Sequence, residues 1–136
     1  FILILMLSMY ASFVQADLLV IVNASNDTGD LSRRQIIDLY MGRNLELPNG
    51  SIAQPIDQGV NSIERSSFYK LLVNKSIAQV NAYWARLLFT GRNVPPKSLA
   101  DVEEVLQRVR ENKYAIAYID SHSILDDSIR VVGRVP

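Results

Sequence analysis

The feature that most constrains this chain is an alternation of two kinds of segment. Short apolar runs rich in β-branched or small residues, Leu18–Val22 (LLVIV) and Tyr114–Ile119 (YAIAYI), stand apart from longer stretches with apolar residues at helical spacing. The runs read as strands and the stretches as amphipathic helices. A chain built this way must pack helices on a sheet, because each element hides only one side from water.

The punctuation between segments sharpens the reading. Asn23–Asp30 (NASNDTGD) is a loop by composition. Ser32 and Gln35 form a capping box, with Leu31 and Ile36 as its hydrophobic staple. That helix runs through Ile37, Tyr40 and Met41 and stops at Gly42. Asn49-Gly50 marks a turn. Ile52–Asp57 is a second strand, with Pro55 marking an edge or a strand end. A helix is predicted from Asn61 or Ser62 to Val73, with Ile63, Phe68, Leu71 and Leu72 facing inward. Another spans Ser76–Phe89 on Ile77, Val80, Trp84, Leu87 and Leu88, and Gly91 ends it.

Pro95-Pro96 makes Thr90–Lys97 a loop. Ser98 is the expected cap of the next helix, with Leu99, Val102, Leu106 and Val109 as its stripe. Asp101, Glu103 and Glu104 near its start and Arg108, Arg110 and Lys113 near its end complement the helix dipole. Ile129–Val132 closes the set as a last strand. The predicted order is β-α-β-α-α-α-β-β: an α/β domain with one mixed sheet flanked by helices.

The first 16 residues (FILILMLSMYASFVQA) carry no charge, so all 28 charged residues lie in 17–136. The apolar run Ile2–Leu7 and the small-residue end Val14-Gln15-Ala16 match the core and cleavage site of a secretory signal peptide. A membrane anchor and a buried first helix are the rival readings; 16 residues are short of the roughly 20 that span a bilayer. On the signal reading, residues 1–16 are a truncated signal and 17–136 a single exported domain, bacterial and periplasmic. The four Asn-x-Ser/Thr triplets, at Asn23, Asn26, Asn49 and Asn74, then serve as turns and caps.

Composition narrows the function classes. Fourteen Lys and Arg balance fourteen Asp and Glu. A nucleic-acid binder would need a basic excess to neutralise phosphates. The chain has no Cys and one His, so there is no disulfide framework, thiol nucleophile or Cys-based zinc site, and no metal or cofactor is expected. Catalysis rests on His122 alone, in Asp120-Ser121-His122-Ser123. A catalytic triad brings its groups together through the fold, whereas loop neighbours point apart, so the plain reading is a solvated loop histidine.

A small anion is the better ligand. Two strand-to-helix connections could offer N–H groups and hydroxyls: the Ser25/Asn26 loop, and Asp57–Arg65 (DQGVNSIER). In the second, Asn61 and Ser62 open a helix and Arg65 sits in its first turn. An ordinary N-cap with a surface arginine gives the same pattern, and Asp57 and Glu64 oppose an anion.

The order of motifs resembles the periplasmic phosphate-binding-protein-like family. The carriers are VIVNASN (Val20–Asn26), Leu31-Ser32, Tyr40-Met41-Gly42, Asn49-Gly50, the strand to Asp57, Arg65…Phe68-Tyr69, Trp84-Ala85-Arg86…Phe89-Thr90-Gly91, and Ala115-Ile116-Ala117-Tyr118. The resemblance implies a single lobe of a type 2 solute-binding protein, where full members have two. It implies a non-enzymatic relative of ABC-transporter substrate-binding proteins that takes a small oxyanion such as phosphate. In the family a Gly-Ser-Gly-Thr turn with a preceding Arg grips the phosphate. Here Asn61-Ser62-Ile63-Glu64 stands in that place, with Gln58 for the Arg and Glu64 for the Thr. Only Ser62 and Arg65 carry over. The alternative is a periplasmic interaction module that has lost the grip and meets a membrane transporter, a sensor protein or a second copy.

Overall fold

The computed structural model describes residues 17–91, 93–123 and 125–136. Residues 1–16, expected from the sequence to be a signal peptide, lie outside the described residues.

Five strands and four helices follow one another: β1 (Leu18–Asn23), α1 (Arg33–Tyr40), β2 (Gln54–Gln58), α2 (Ile63–Val73), α3 (Ile77–Phe89), β3 (Lys97–Leu99), α4 (Val102–Glu111), β4 (Ala115–Asp120) and β5 (Ile129–Val135). The strands form one mixed sheet in the order β3-β2-β4-β1-β5. β2 runs parallel to β3 and β4, whereas β1 runs antiparallel to β4 and β5. Only β1 therefore points the opposite way. The carboxyl ends of the other four strands share one end of the sheet with the start of β1.

The apolar runs are continuous because both faces of the sheet are covered. Leu18, Val20, Val22, Ile116 and Tyr118 pack under α1, α2 and α3. Their neighbours Leu19, Ile21, Ala115, Ala117 and Ile119 pack against α4. Burying each of the larger side chains contributes about 1.5–3 kcal/mol.

Local signals set the helix ends. Ser32 and Gln35 close the capping box on α1, and Leu31 and Ile36 are both buried. Ser62 caps α2, and Ser76 with Gln79 forms a second capping box on α3. α2 ends on Asn74 in the left-handed region, where a short polar side chain is tolerated.

Several expectations are corrected. Ser98 does not cap α4: Lys97–Leu99 instead forms β3, parallel to Ile56–Gln58, so Leu99 belongs to the sheet. Asp101 takes the cap by accepting from the Glu104 N–H at 2.9 Å, while Glu104 accepts from the Ala100 N–H. The second strand begins at Gln54, not Ile52, which is exposed and makes only a bridge to Glu46. Pro55 fits because β3 covers β2 only from Ile56 onward, which leaves an open edge beside the proline. Ile63 and Leu88 point to water rather than inward, and Arg65 and Tyr69 are buried in their stead.

Gly42 ends α1 with φ +68°, and a Cβ there would lie 2.6 Å from Trp84 Cη2. Gly42→Ala combines left-handed strain of about 1–2 kcal/mol with a steric clash against a buried ring. The variant is expected to lose at least about 2 kcal/mol in urea unfolding, with the m-value unchanged.

Candidate functional site

The buried polar groups converge at the carboxyl end of β2. Asp57 is buried and receives four donors. Its oxygens accept from the Gln58 N–H at 2.8 Å, from Tyr69 Oη at 2.6 Å and from Tyr118 Oη, with Arg65 Nε at 3.4 Å. Gln58, also buried, donates from Nε2 to the Tyr118 carbonyl at 2.9 Å. Tyr118 stacks on Phe68 with ring centroids 3.8 Å apart, and Tyr40 meets both rings edge-on. A buried carboxylate persists only when its charge is met by hydrogen bonds and a counter-charge. Here β2, β4 and α2 each supply a partner.

The phenols follow from this environment. Burial, reinforced by the Asp57 charge, pushes Tyr69 and Tyr118 far above the ordinary phenol range, and Tyr40 likewise.

Beyond this network the Gly59–Ser62 turn faces Ala100–Val102 at the start of α4 across a hollow of about 490 Å³. Ser62 Oγ caps α2 by accepting from the Arg65 N–H at 3.1 Å. The same hydroxyl lies 2.6 Å from Gln58 Oε1 and 3.0 Å from Glu64 Oε2. The charged groups lining the hollow are Glu64 and Asp101, both acidic. Arg65 is turned inward to Asp57 and lies within 3.5 Å of Asn81 on α3.

The sequence-predicted residues do not meet in one place. Asn61, Ser62 and Arg65 stand at the carboxyl end of β2. Ser25 and Asn26 follow β1, which runs the other way, and so sit at the opposite end of the sheet. Their groups are also engaged. Ser25 Oγ donates to Asn23 Oδ1 at 2.6 Å. Asn26 is buried; it donates to the Lys113 carbonyl and accepts from the Thr28 N–H and from Asn49. Arg130 donates to the carbonyls of Asn26 and Thr28. This loop is a structural latch. An antiparallel β1 was not legible from the apolar runs alone, which carry no direction.

His122 is exposed, with Nδ1 2.8 Å from Asp120 Oδ1. The His122 backbone N–H and then its ring hold Asp120 below the usual carboxylate range. Among the hydrogen bonds of the described residues none joins a serine hydroxyl to that ring. Sequence reading missed Tyr69, Tyr118 and Asp57 as one cluster. The signal available was a tyrosine on the buried side of α2 and another in the apolar run of β4, with a carboxylate at a strand end.

No protein-family model and no curated protein matches the chain. Solved structures do. An ABC-type phosphate transport receptor from Vibrio cholerae superposes with a TM-score of 0.66 at 20% identity, over 86% of this chain and 45% of that one. A protein described as a phosphate ABC transporter substrate-binding protein, with bound phosphate, from Clostridium perfringens gives 0.67 at 21% identity, over 86% and 44%. PstS from Borrelia burgdorferi gives 0.59 at 15% identity, over 78% and 41%. The chain thus has the fold of a single lobe of a periplasmic binding protein, and it spans less than half the length of each of these neighbours.

Replacing Asp57 with Asn leaves Arg65 buried without its counter-charge, a class of change that costs about 3–5 kcal/mol. Tyr118→Phe, which removes one donor and keeps the stack, is expected to cost about 1–2 kcal/mol. The phenols add a pH signature. Their folded pKa values exceed the unfolded value of 10.0, so the stability they contribute is complete below pH 10 and lost as the pH rises beyond it. Tyr40, Tyr69 and Tyr118 are expected to ionise only on alkaline unfolding, in step with loss of circular dichroism. Phenolate absorbance from all three ahead of unfolding would contradict this.

Proposed function

We propose that this chain is an exported, periplasmic, non-enzymatic solute-binding domain, and that residues 17–136 are its working unit. Its ligand is a small oxyanion of the phosphate kind, held at the Asn61–Arg65 turn. One observation carries the reading. The Gly59–Ser62 turn and the start of α4 open together at the carboxyl ends of β2 and β3, where open α/β sheets bind ligands. The fold supports it, since the neighbours of like fold include phosphate transport receptors.

The chemistry of this turn favours weak binding. Ser62 Oγ and the unpaired N–H groups at the start of α2 are suitable donors. An incoming anion must first take the single Ser62 hydroxyl proton from Gln58 Oε1, displace Glu64, and then sit beside Asp101. Ser25 and Asn26 take no part, because they lie at the other end of the sheet. The partners proposed are the anion and a membrane transporter.

A second reading is favoured by a separate observation. Val60 and Ile63, which flank Ser62, are 74% and 79% exposed. Apolar side chains on the rim of an open hollow suit a protein surface. The module would then meet a transporter, a sensor protein or a second copy of this chain.

Isothermal titration with inorganic phosphate tests the first reading. Weak binding by the native chain is expected, strengthened roughly tenfold in Glu64→Thr, where the competing carboxylate is gone, and abolished in Ser62→Ala. Absence of heat in both the native chain and Glu64→Thr overturns it. Light scattering then addresses the second: association lost in Val60→Asp supports it, and a monomer that captures neither transporter nor sensor rejects it.

A further inference from the structure

A second cavity lies at the other end of β2. It measures about 280 Å³ and is bounded by Trp84 of α3, Leu45 after α1, Pro55 of β2 and the strap Val94-Pro95-Pro96. Gln54 and Gln58 are four steps apart along the strand, about 13 Å at the usual rise, so this cavity is distinct from the Ser62 hollow.

Its walls have a definite chemistry. They are chiefly apolar, and three are prolines, which lose no side-chain freedom when a ligand packs on them. Trp84 lines the cavity, and the edge of its six-membered ring lies close to Gly42. Among the described residues Lys97 is the only charged one in the lining, and it is exposed and makes no ion pair. The amides beside it are partly spent: Asn93 Nδ2 donates to the Gly42 carbonyl at 2.7 Å, and Gln54 Oε1 accepts from Asn112 at 2.8 Å. An apolar pocket with the unpaired ammonium of Lys97 at its edge selects a small molecule with an apolar body and an anionic head.

We infer that the Trp84 cavity binds a small aromatic or alicyclic carboxylate, its ring between the indole and the prolines and its carboxylate on Lys97. Inorganic phosphate has no apolar body and is not a ligand for it. The cavity therefore stands or falls independently of the anion-binding reading of the Ser62 turn.

The test uses the chain's single tryptophan, which gives one indole N–H signal in a ¹H–¹⁵N spectrum. Benzoate is the probe, benzylamine its cationic counterpart and inorganic phosphate the control. Benzoate is expected to shift the indole signal saturably, with a Kd on the order of 1 mM or tighter for a ligand of this size. Benzylamine and phosphate are expected to leave it in place. Lys97→Glu, at an exposed position, is expected to weaken benzoate by roughly tenfold or more and to admit benzylamine, whereas Lys97→Arg retains benzoate. No saturable shift, an equal response to benzoate and benzylamine, a shift with phosphate, or a Lys97→Glu variant that binds benzoate unchanged would each overturn the inference.

Discussion

The carboxylate of Asp57 is the point on which the rest of the domain depends. It is the penultimate residue of a short strand, out of water, and gathers Tyr69 and Arg65 from α2, Tyr118 from β4 and the backbone of Gln58. Removing water from a charge costs several kcal/mol before its partners return anything. Once those partners are in place they fix three elements relative to one another, because none can move without leaving a charge or a hydroxyl unmet. The orientation of α2, and with it the Gly59–Ser62 turn, follows from this one buried group.

The second constraint is the direction of β1. Pairing antiparallel to both β4 and β5 sends the loop after β1 to the end of the sheet away from the β2 turn. That loop is then tied down by Asn23, whose amide donates to the carbonyls of Val109 and Arg110 at the end of α4, and by Arg130. Polar residues after a strand resemble a binding loop in sequence. In this fold they close the bottom of the domain.

Much of the architecture was legible because it rests on local chemistry. The capping box at Ser32, the glycine stop at Gly42 and the apolar runs of β1 and β4 each declare themselves within a few residues. β3 was hidden: Lys97–Leu99 is three residues long and mostly exposed, and only its pairing with β2 makes it a strand. Arg65 was legible as a residue of the first helical turn but not as a buried one, since its partner Asp57 lies eight residues back across a turn. The cluster it joins also needs Tyr118, 61 residues from Asp57, and such long-range meetings leave no periodic trace. The Trp84 cavity was equally silent, because its walls come from four separate stretches of chain.

These two constraints also decide what the Ser62 turn can offer a ligand. Arg65 is the cation of that turn, and its Nε is committed to Asp57 inside the protein. What remains at the surface is a serine hydroxyl, the helix N–H groups and the carboxylate of Glu64 lying against that hydroxyl. The helix start thus carries its own anion. A negatively charged side chain is favourable at such a position, worth about 0.3–1 kcal/mol at an exposed site. Any external anion must exceed that advantage as well as the repulsion from Asp101 across the hollow. A turn that supplies its own carboxylate can hold an external anion only weakly, unless the face around Val60 and Ile63 is completed by another molecule.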